Sequence, residues 1–228
     1  MKHGALHNPD HPLLLEAGNY LDLRSPVIDG PTPNWFAASP PDGDALWNNE
    51  VSDCCEAADF RLIQFWLAAQ DIVWRIPRDL VMRRYVAVGG YQHTMATDVG
   101  TSPAVDMFAW MTNPIEAYSR FWPVYWASVP LGSITDALRR GPLLATLGLP
   151  VKMLSYPERW HMAPQGAFMA YHRVVIGYAE NGMLLCRSYG RNYWVNPALV
   201  VGADLLIPHT NGAPLSLEMA GIDYTKLT

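Results

Sequence analysis

The sequence predicts an α+β fold, with helices in the first part of the domain and an antiparallel sheet in the second. Apolar residues recur at helical spacing between about residues 52 and 141, and short β-rich runs follow. Glu180-Asn181-Gly182 separates two of these runs, which is a strong hairpin signal. Half of the residues are hydrophobic and 16% are charged, so the chain can bury a substantial core.

Four helices are predicted in the first part of the chain. The first begins at Ser52 or Asp53, because either side chain can cap the unpaired N–H groups of a helix start. It then carries Cys55, Ala58 and Leu62 at helical spacing. Capping residues, a first-turn proline and stop signals predict three further helices, in segments 77–88, 102–113 and 133–141.

Strands are predicted in the second part of the chain. The short apolar run at 142–151 predicts the first of them. A hairpin follows within 168–190, and segments 192–196 and 203–209 predict two more strands.

The predicted domain organisation has three parts. Residues 1–44 are rich in Pro, Gly, Asn and Asp and are predicted to form an extended arm. Residues 45–207 are predicted to form the domain, and residues 208–228 a C-terminal tail. The segment Phe108–Trp126 is rich in aromatic residues, most of which are expected to fill the core. Aromatic residues also anchor interfaces, so we expect a protein partner or an oligomer to use the arm together with an aromatic surface.

Composition and charge exclude some classes of function. The net charge of -5 argues against a nucleic-acid groove, which needs an excess of Lys and Arg. The first twelve residues lack the apolar core of a signal peptide, and no run reaches membrane-spanning length. Three cysteines are not a disulfide framework and indicate a reducing compartment or a functional thiol. We therefore expect a cytoplasmic protein, with no nucleic-acid or membrane partner.

Cys54 is the candidate nucleophile, because it lies where a helix is predicted to begin. The unpaired N–H groups of a helix start lower the pKa of a thiol there. Asp53 weakens the case, since a neighbouring carboxylate disfavours a thiolate. A free cysteine is also among the residue types most often buried for packing. His172, at the start of the hairpin, is the best candidate for the base that would activate Cys54.

Four segments in order resemble the papain-like cysteine peptidase superfamily, and most closely a bacterial and phage branch of it. The segment "NNEVSDC", residues 48–54, matches that branch's Cys motif, with Ser52 where the branch tends to carry Gly. The other matching segments are 97–111, 134–150 and 170–190. The resemblance covers about residues 45–200 and implies a papain-like fold, with the Cys on a helix start and the His on the antiparallel sheet.

The resemblance also implies roles for particular residues. Cys54 would attack a carbonyl carbon, and His172 would take the thiol proton and later protonate the leaving group. Asn48 would stabilise the developing oxyanion together with the backbone N–H of Cys54. One such donor is typically worth about 3 kcal/mol of the barrier.

The third member of the site departs from the family pattern. The family often places an Asn just before "S-W-G" to orient the histidine, and this chain has Arg187 there, in "CRSYG". A guanidinium has no acceptor for an imidazole N–H. Ser188 could replace the Asn if the hairpin register differs by one residue, since such a slip exchanges the faces of a strand. A backbone carbonyl could also serve, and loss of activity is a further alternative.

Two functions follow from these observations. The first is a cysteine hydrolase of the peptidase or amidase type, acting on a peptide or amide substrate; it predicts an open cleft beside Cys54. The alternative is a catalytically inactive papain-like scaffold with a structural or binding role, in a phage particle or another bacterial assembly.

No cofactor and no metal site are expected. His3, His7 and His11 recur every four residues, which is a metal-like spacing on a helix. Pro9 and Pro12 interrupt a regular helix there, so an extended arm is the expected structure.

Overall fold

The structure is a computed structural model, and its described residues are 32–117, 120–122, 124–210 and 213–214. The predicted α+β arrangement is confirmed, with helices before Arg139 and most of an antiparallel sheet after it. Residues 1–31, which contain His3, His7 and His11, lie outside the described part of the chain.

The helices lie close to their predicted segments. They are α1 at Cys54–Ala68, α2 at Arg78–Gly89, α3 at Pro103–Thr112 and α4 at Ile134–Leu138. Ser102 caps α3 as predicted, since its hydroxyl accepts a hydrogen bond from Val105 N at 3.3 Å. The predicted cap of α1 is wrong: Asp53 occupies the N-cap position, but its side chain makes no capping hydrogen bond.

Helix α1 is the central element of the fold. Every side chain from Cys54 to Leu67 is buried, so this helix has no solvent-facing side there. Its apolar residues, among them Phe65 and Trp66, belong to a core that also contains Val175 of the sheet. Burying side chains of this size contributes roughly 1.5–3 kcal/mol each. That packing holds the start of α1 against the sheet.

The strands are β1 Ile115–Ala117, β2 Arg120–Trp122, β3 Val124–Ser128, β4 Leu143–Pro150, β5 Phe168–Glu180, β6 Met183–Ser188, β7 Arg191–Val195, β8 Val200–Thr210 and β9 Ala213–Pro214. They form an antiparallel main sheet with strand order β3-β8-β4-β5-β6-β7, in which β9 pairs with β8. A separate two-stranded ribbon consists of β1 and β2. Strands β1 to β3 lie in the aromatic segment, for which the sequence predicted no strands.

The β5–β6 hairpin turns at the predicted residues and carries a bulge. Asn181 and Gly182 have φ values of 50° and 75°, as a two-residue hairpin turn requires. The pairing shifts between Ile176 and Tyr178, so Gly177 is an extra residue on β5. A Cβ atom at Gly177 would lie 2.3 Å from the Phe36 ring, which explains why glycine occupies the bulge.

The described part of the predicted arm, residues 32–44, packs on the domain. Trp35 donates from its backbone N to Gly177 O at 3.0 Å and from Nε1 to Leu138 O at 2.7 Å. Gly43 N donates to Gly190 O at 3.0 Å. The boundary at residue 44 remains a prediction, because most of the arm lies outside the described residues.

The C-terminal boundary also remains a prediction. Strand β8 continues to Thr210, beyond the predicted domain end at residue 207, and most of the predicted tail, 208–228, falls outside the described residues. Among the residues that are described, no helix has the length and apolarity needed to cross a membrane.

Candidate active site

Cys54 is the first residue of α1, and its thiol faces strand β5. The backbone N–H of Arg173 donates to Cys54 Sγ over 3.4 Å. The side chain of Cys54 has an exposed fraction of 0%. Asp98 orders the preceding loop, because its Oδ1 accepts from Ser52 N at 2.7 Å and from the Tyr85 hydroxyl at 3.0 Å. The thiol therefore lies in a fixed position between a helix start and the strand that carries His172.

The three cysteines have different electrostatic environments. Burial raises the pKa of Cys54, but hydrogen bonds from Cys55 and His172, the charge of His172 and the Arg173 N–H outweigh it. The pKa of Cys54 is consequently well below the usual value for a thiol. The hydrogen bond with Cys54 and burial raise the pKa of Cys55, and burial raises that of Cys186. Only Cys54 has the environment of a reactive thiolate.

Cys55 lies between two acceptors. Its Sγ is 3.1 Å from Thr101 O, and it also contacts the Cys54 sulfur. A thiol has one S–H, so this proton serves one of the two acceptors at a time.

His172 is bonded to Ser188. The distance from His172 Nε2 to Ser188 Oγ is 2.7 Å, and both residues are buried. The Gly177 bulge makes this contact possible, because the register before it pairs Val175 with Arg187. Continuing that register, Ser188 lies on the same strand face as His172 and Arg187 lies on the other. Without the extra residue, the faces of Ser188 and Arg187 would be exchanged.

Arg187 has a structural environment on the opposite face of the sheet. Its guanidinium donates to Asn192 Oδ1 at 2.6 Å and to Ser39 O at 2.7 Å. It also lies over the rings of Phe36 and Phe65, at 4.9 and 5.0 Å from their centroids. Burial lowers the pKa of Arg187 to about 10. Arg187 thus fixes the segment before α1. None of these contacts involves His172.

Among the described residues, the rings of Tyr189 and Trp160 contact the His172 ring, and sequence reasoning selected neither as functional. The Tyr189 ring stacks on the imidazole with centroids 5.1 Å apart and planes at 9°. The Trp160 ring lies 5.5 Å away at 54°. Tyr189 follows Ser188 directly, and that adjacency is a signal that could have identified it. Trp160 comes from the loop before β5, and nothing in its local sequence marks it.

Asn48 lies on the wall of a very small cavity that Ser188 and Tyr189 also line. The cavity has a volume of about 10 Å³, which is room for one water molecule. Asn48 is 3% exposed, and its Oδ1 has no hydrogen-bond partner among the described residues. A buried amide oxygen without a partner is costly, and what it leaves unused is an acceptor, whereas the expected oxyanion role would use the N–H donors of the same amide.

A buried group of carboxyls, which the sequence did not reveal, lies beneath the thiol. Burial is the largest cause that raises the pKa of Asp53, Glu56, Asp59 and Asp106. Repulsion from another carboxyl of the group raises the pKa of Asp53, Glu56 and Asp59 further, and the charge of Cys54 does so for Asp106. The pKa of Glu56 is about 8, and its Oε1 accepts from the Thr101 hydroxyl at 2.6 Å. Protonation of these groups reduces the negative charge near Cys54. The concern that Asp53 would oppose a thiolate therefore weakens, because its carboxyl is neutral over a wider pH range.

The described residues form no open cleft beside Cys54, contrary to the expectation. The Cys54 side chain has no exposed surface, and the Tyr171 side chain packs against the Cys54–Cys55 pair. Three of the four predicted site residues are in contact, since Cys54 meets His172 and His172 meets Ser188. Asn48 reaches the cavity wall beside Ser188.

Comparison with known proteins identifies the fold. No protein-family model matches the sequence, and no curated protein matches it either. Among solved structures, the chain is similar to xylellain, a cysteine protease from Xylella fastidiosa. The TM-score is 0.59 at 10% sequence identity, and the match covers 90% of this chain and 95% of that one. At this identity the likeness shows the fold alone, which is papain-like.

Proposed function

We propose that the protein is a papain-like cysteine hydrolase of the peptidase or amidase type. The observation that carries this proposal is the environment of Cys54. Of the three buried cysteines, it alone has a lowered pKa, and it does so in contact with a histidine that is itself held by Ser188. Structural cysteines have raised pKa values when buried, as Cys55 and Cys186 do.

The proposed reaction proceeds through an acyl-thioester. The Cys54 thiolate attacks the carbonyl carbon, and the carbonyl π electrons move onto oxygen to give a tetrahedral oxyanion. The Asn48 amide and the Cys54 backbone N–H donate to that oxygen. Collapse breaks the C–N bond while His172 protonates the departing amine. Water then attacks the thioester, His172 accepts a proton from it, and the acid leaves as Cys54 is regenerated.

Ser188 takes the orienting role in this proposal. Its hydroxyl accepts the Nε2–H of the imidazolium, which assigns Nδ1 to proton exchange with Cys54. The bond has the 2.7 Å length of a good hydrogen bond. A hydroxyl provides an acceptor that the guanidinium of Arg187 lacks, so the departure at residue 187 does not remove the orienting contact.

Substrate entry requires the side chains that cover Cys54 to move. The partly buried Tyr171 packs against the Cys54–Cys55 pair, and we propose that its ring is the part that moves. Rotation of one partly buried side chain is a small change compared with a rearrangement of the sheet.

The test is the rate of alkylation by iodoacetamide as a function of pH, resolved by peptide mass spectrometry. Cys54 should react with a midpoint well below that of an ordinary thiol, and His172→Ala should abolish this shift. Cys186 in the same chain is the internal control, because its environment should keep it slow at every pH. An ordinary profile for Cys54 that is identical in wild type and His172→Ala contradicts the proposal.

Turnover is tested with fluorogenic peptide and amide libraries. The wild type should hydrolyse members of at least one library, and Cys54→Ala should lose that activity while keeping its circular dichroism spectrum. Hydrolysis by Cys54→Ala at the wild-type rate would show that Cys54 is not the nucleophile.

The second candidate is an inactive papain-like scaffold that binds a partner, in a phage particle or another bacterial assembly. The observation favouring it is the complete burial of Cys54. Protein partners would then use the N-terminal arm and the exposed aromatic and methionine side chains. This candidate predicts no alkylation of Cys54 in the folded protein and no turnover, whereas the hydrolase candidate predicts that Cys54 is alkylated and that substrate is hydrolysed.

A further inference from the structure

We propose that Trp160 is a positioning residue for His172, which it holds in the orientation that serves Cys54. This inference rests on the proposed function and adds to it a residue from outside the motifs that indicated the site. The Trp160 side chain is fully buried, and its ring centroid lies 5.5 Å from that of His172.

The three rings restrict the imidazole from different directions. The centroids of His172, Tyr189 and Trp160 form a triangle with separations of 5.1, 5.5 and 6.4 Å. Tyr189 is parallel to the imidazole and covers its face, whereas Trp160 approaches from a different direction at 54°. The bond to Ser188 fixes one ring nitrogen, and the two aromatic contacts limit tilting and sliding about that bond.

Trp160 is itself held by contacts that do not involve the site. Its Nε1 donates to Met153 O at 3.2 Å, and its carbonyl accepts from Asn196 N at 2.8 Å. Its ring also contacts the Tyr193 ring on β7 at 5.5 Å. Contacts with Met153, before β5, and with Tyr193 and Asn196, on and after β7, therefore fix Trp160 in position beside the imidazole.

A histidine that is oriented by a serine hydroxyl depends on a second positioning contact more than a histidine that is oriented by an amide. A hydroxyl rotates freely about its C–O bond, whereas an amide is planar and fixes its acceptor. The terminal torsion of a histidine is broad, so one hydrogen bond leaves the ring free to swing. Aromatic rings beside an imidazolium also attract its positive charge, which adds to the contacts that hold the ring in place.

The test compares Trp160→Leu, Trp160→Phe and the matched control Trp194→Leu. Trp194 is 39% exposed on β7 and packs on Tyr178, so its loss should leave the site unchanged. Trp160→Leu should lower kcat, and the alkylation rate of Cys54 at neutral pH, by about 10- to 100-fold, as expected for a misplaced catalytic group. KM should stay constant, and Trp160→Phe should restore most of the rate. A folded Trp160→Leu with the wild-type rate and pH profile overturns the inference.

The nuclear magnetic resonance signals of the imidazole provide a readout that a change in protein stability alone does not alter. The His172 ring protons in wild type should be displaced from random-coil positions by the ring currents of Trp160 and Tyr189, and Trp160→Phe should change that displacement. Random-coil positions in wild type overturn the inference even if Trp160→Leu fails to fold. If wild type has no thiolate and no turnover but retains displaced signals, the proposed function fails while the positioning contact stands.

Discussion

Replacing Ser188 with alanine removes the hydrogen bond that fixes His172 Nε2, while Cys54 and its other contacts are retained. The wild-type bond is 2.7 Å long and lies between fully or almost fully buried residues. In the thiolate–imidazolium state the Nε2–H carries a positive charge and donates to Ser188. A hydrogen bond to a charged group is worth about 1.5–3 kcal/mol.

This magnitude converts directly into a pKa change. One pKa unit corresponds to about 1.4 kcal/mol of difference between two protonation states. Loss of the bond should therefore raise the apparent pKa of Cys54 by at most about two units, because a neutral imidazole also forms a weaker bond to Ser188. The sign is upward because the imidazolium stabilises the thiolate, and Ser188→Ala weakens the imidazolium. A water molecule that occupied the vacated space would restore part of the bond and make the increase smaller.

The assay is iodoacetamide alkylation of Cys54 between about pH 4 and pH 10, followed by peptide mass spectrometry. Ser188→Thr retains a hydroxyl and should keep a midpoint near that of wild type. Ser133→Ala, at the start of α4, makes the same chemical change away from the site and should leave the profile unchanged. A folded Ser188→Ala protein with the wild-type midpoint would refute the reasoning, because it would show that Ser188 does not stabilise the charged histidine.

Three further predictions concern neighbouring residues. Arg187→Asn, which installs the family's orienting amide, should destabilise the fold by about 2 kcal/mol or more in urea unfolding, because a buried donor network is lost. It should not speed alkylation of Cys54, since residue 187 lies on the face opposite His172; faster alkylation would contradict the assigned register. Glu56 has its folded pKa raised from 4.5 to about 8, so its contribution to stability should fall as pH rises through this interval. Glu56→Gln should remove that decline in thermal melts, and an unchanged pH dependence would count against a protonated Glu56. Cys55→Ala should raise the alkylation midpoint of Cys54 because its hydrogen bond lowers that pKa, whereas an unchanged midpoint would assign the Cys55 proton to Thr101 alone.

Much of the fold was predictable because local signals matched it. The capping serine of α3, the hairpin turn at Asn181-Gly182 and the helical spacing after Asp53 depend on residues close in sequence. The cap of α1 was not predictable in the same way. Asp53 has a favourable residue type, but tertiary packing buries its carboxyl without a bond to the helix. Local propensity was overridden there by the surroundings of the nucleophile.

The strands of the aromatic segment, residues 108–126, were not predictable from the sequence for a different reason. Segment 108–126 contains many large apolar residues without a clear alternation, so periodicity could not separate a helix from strands. The structure uses its first part for α3, and places the short strands β1, β2 and β3 in the remainder. Their positions depend on partners distant in sequence, such as β8, which pairs with β3.

The sequence by itself determined the candidate nucleophile and base, because a cysteine at a helix start and a histidine on a later strand are local features. Which side chain meets His172 was decided by tertiary structure. Arg187 and Ser188 are adjacent, and alternation puts them on opposite faces of β6. The extra residue at Gly177, where Phe36 leaves no room for a Cβ atom, sets the register that turns Ser188 towards His172. A register shift of one residue is a property of two paired strands, so neither strand alone contains it.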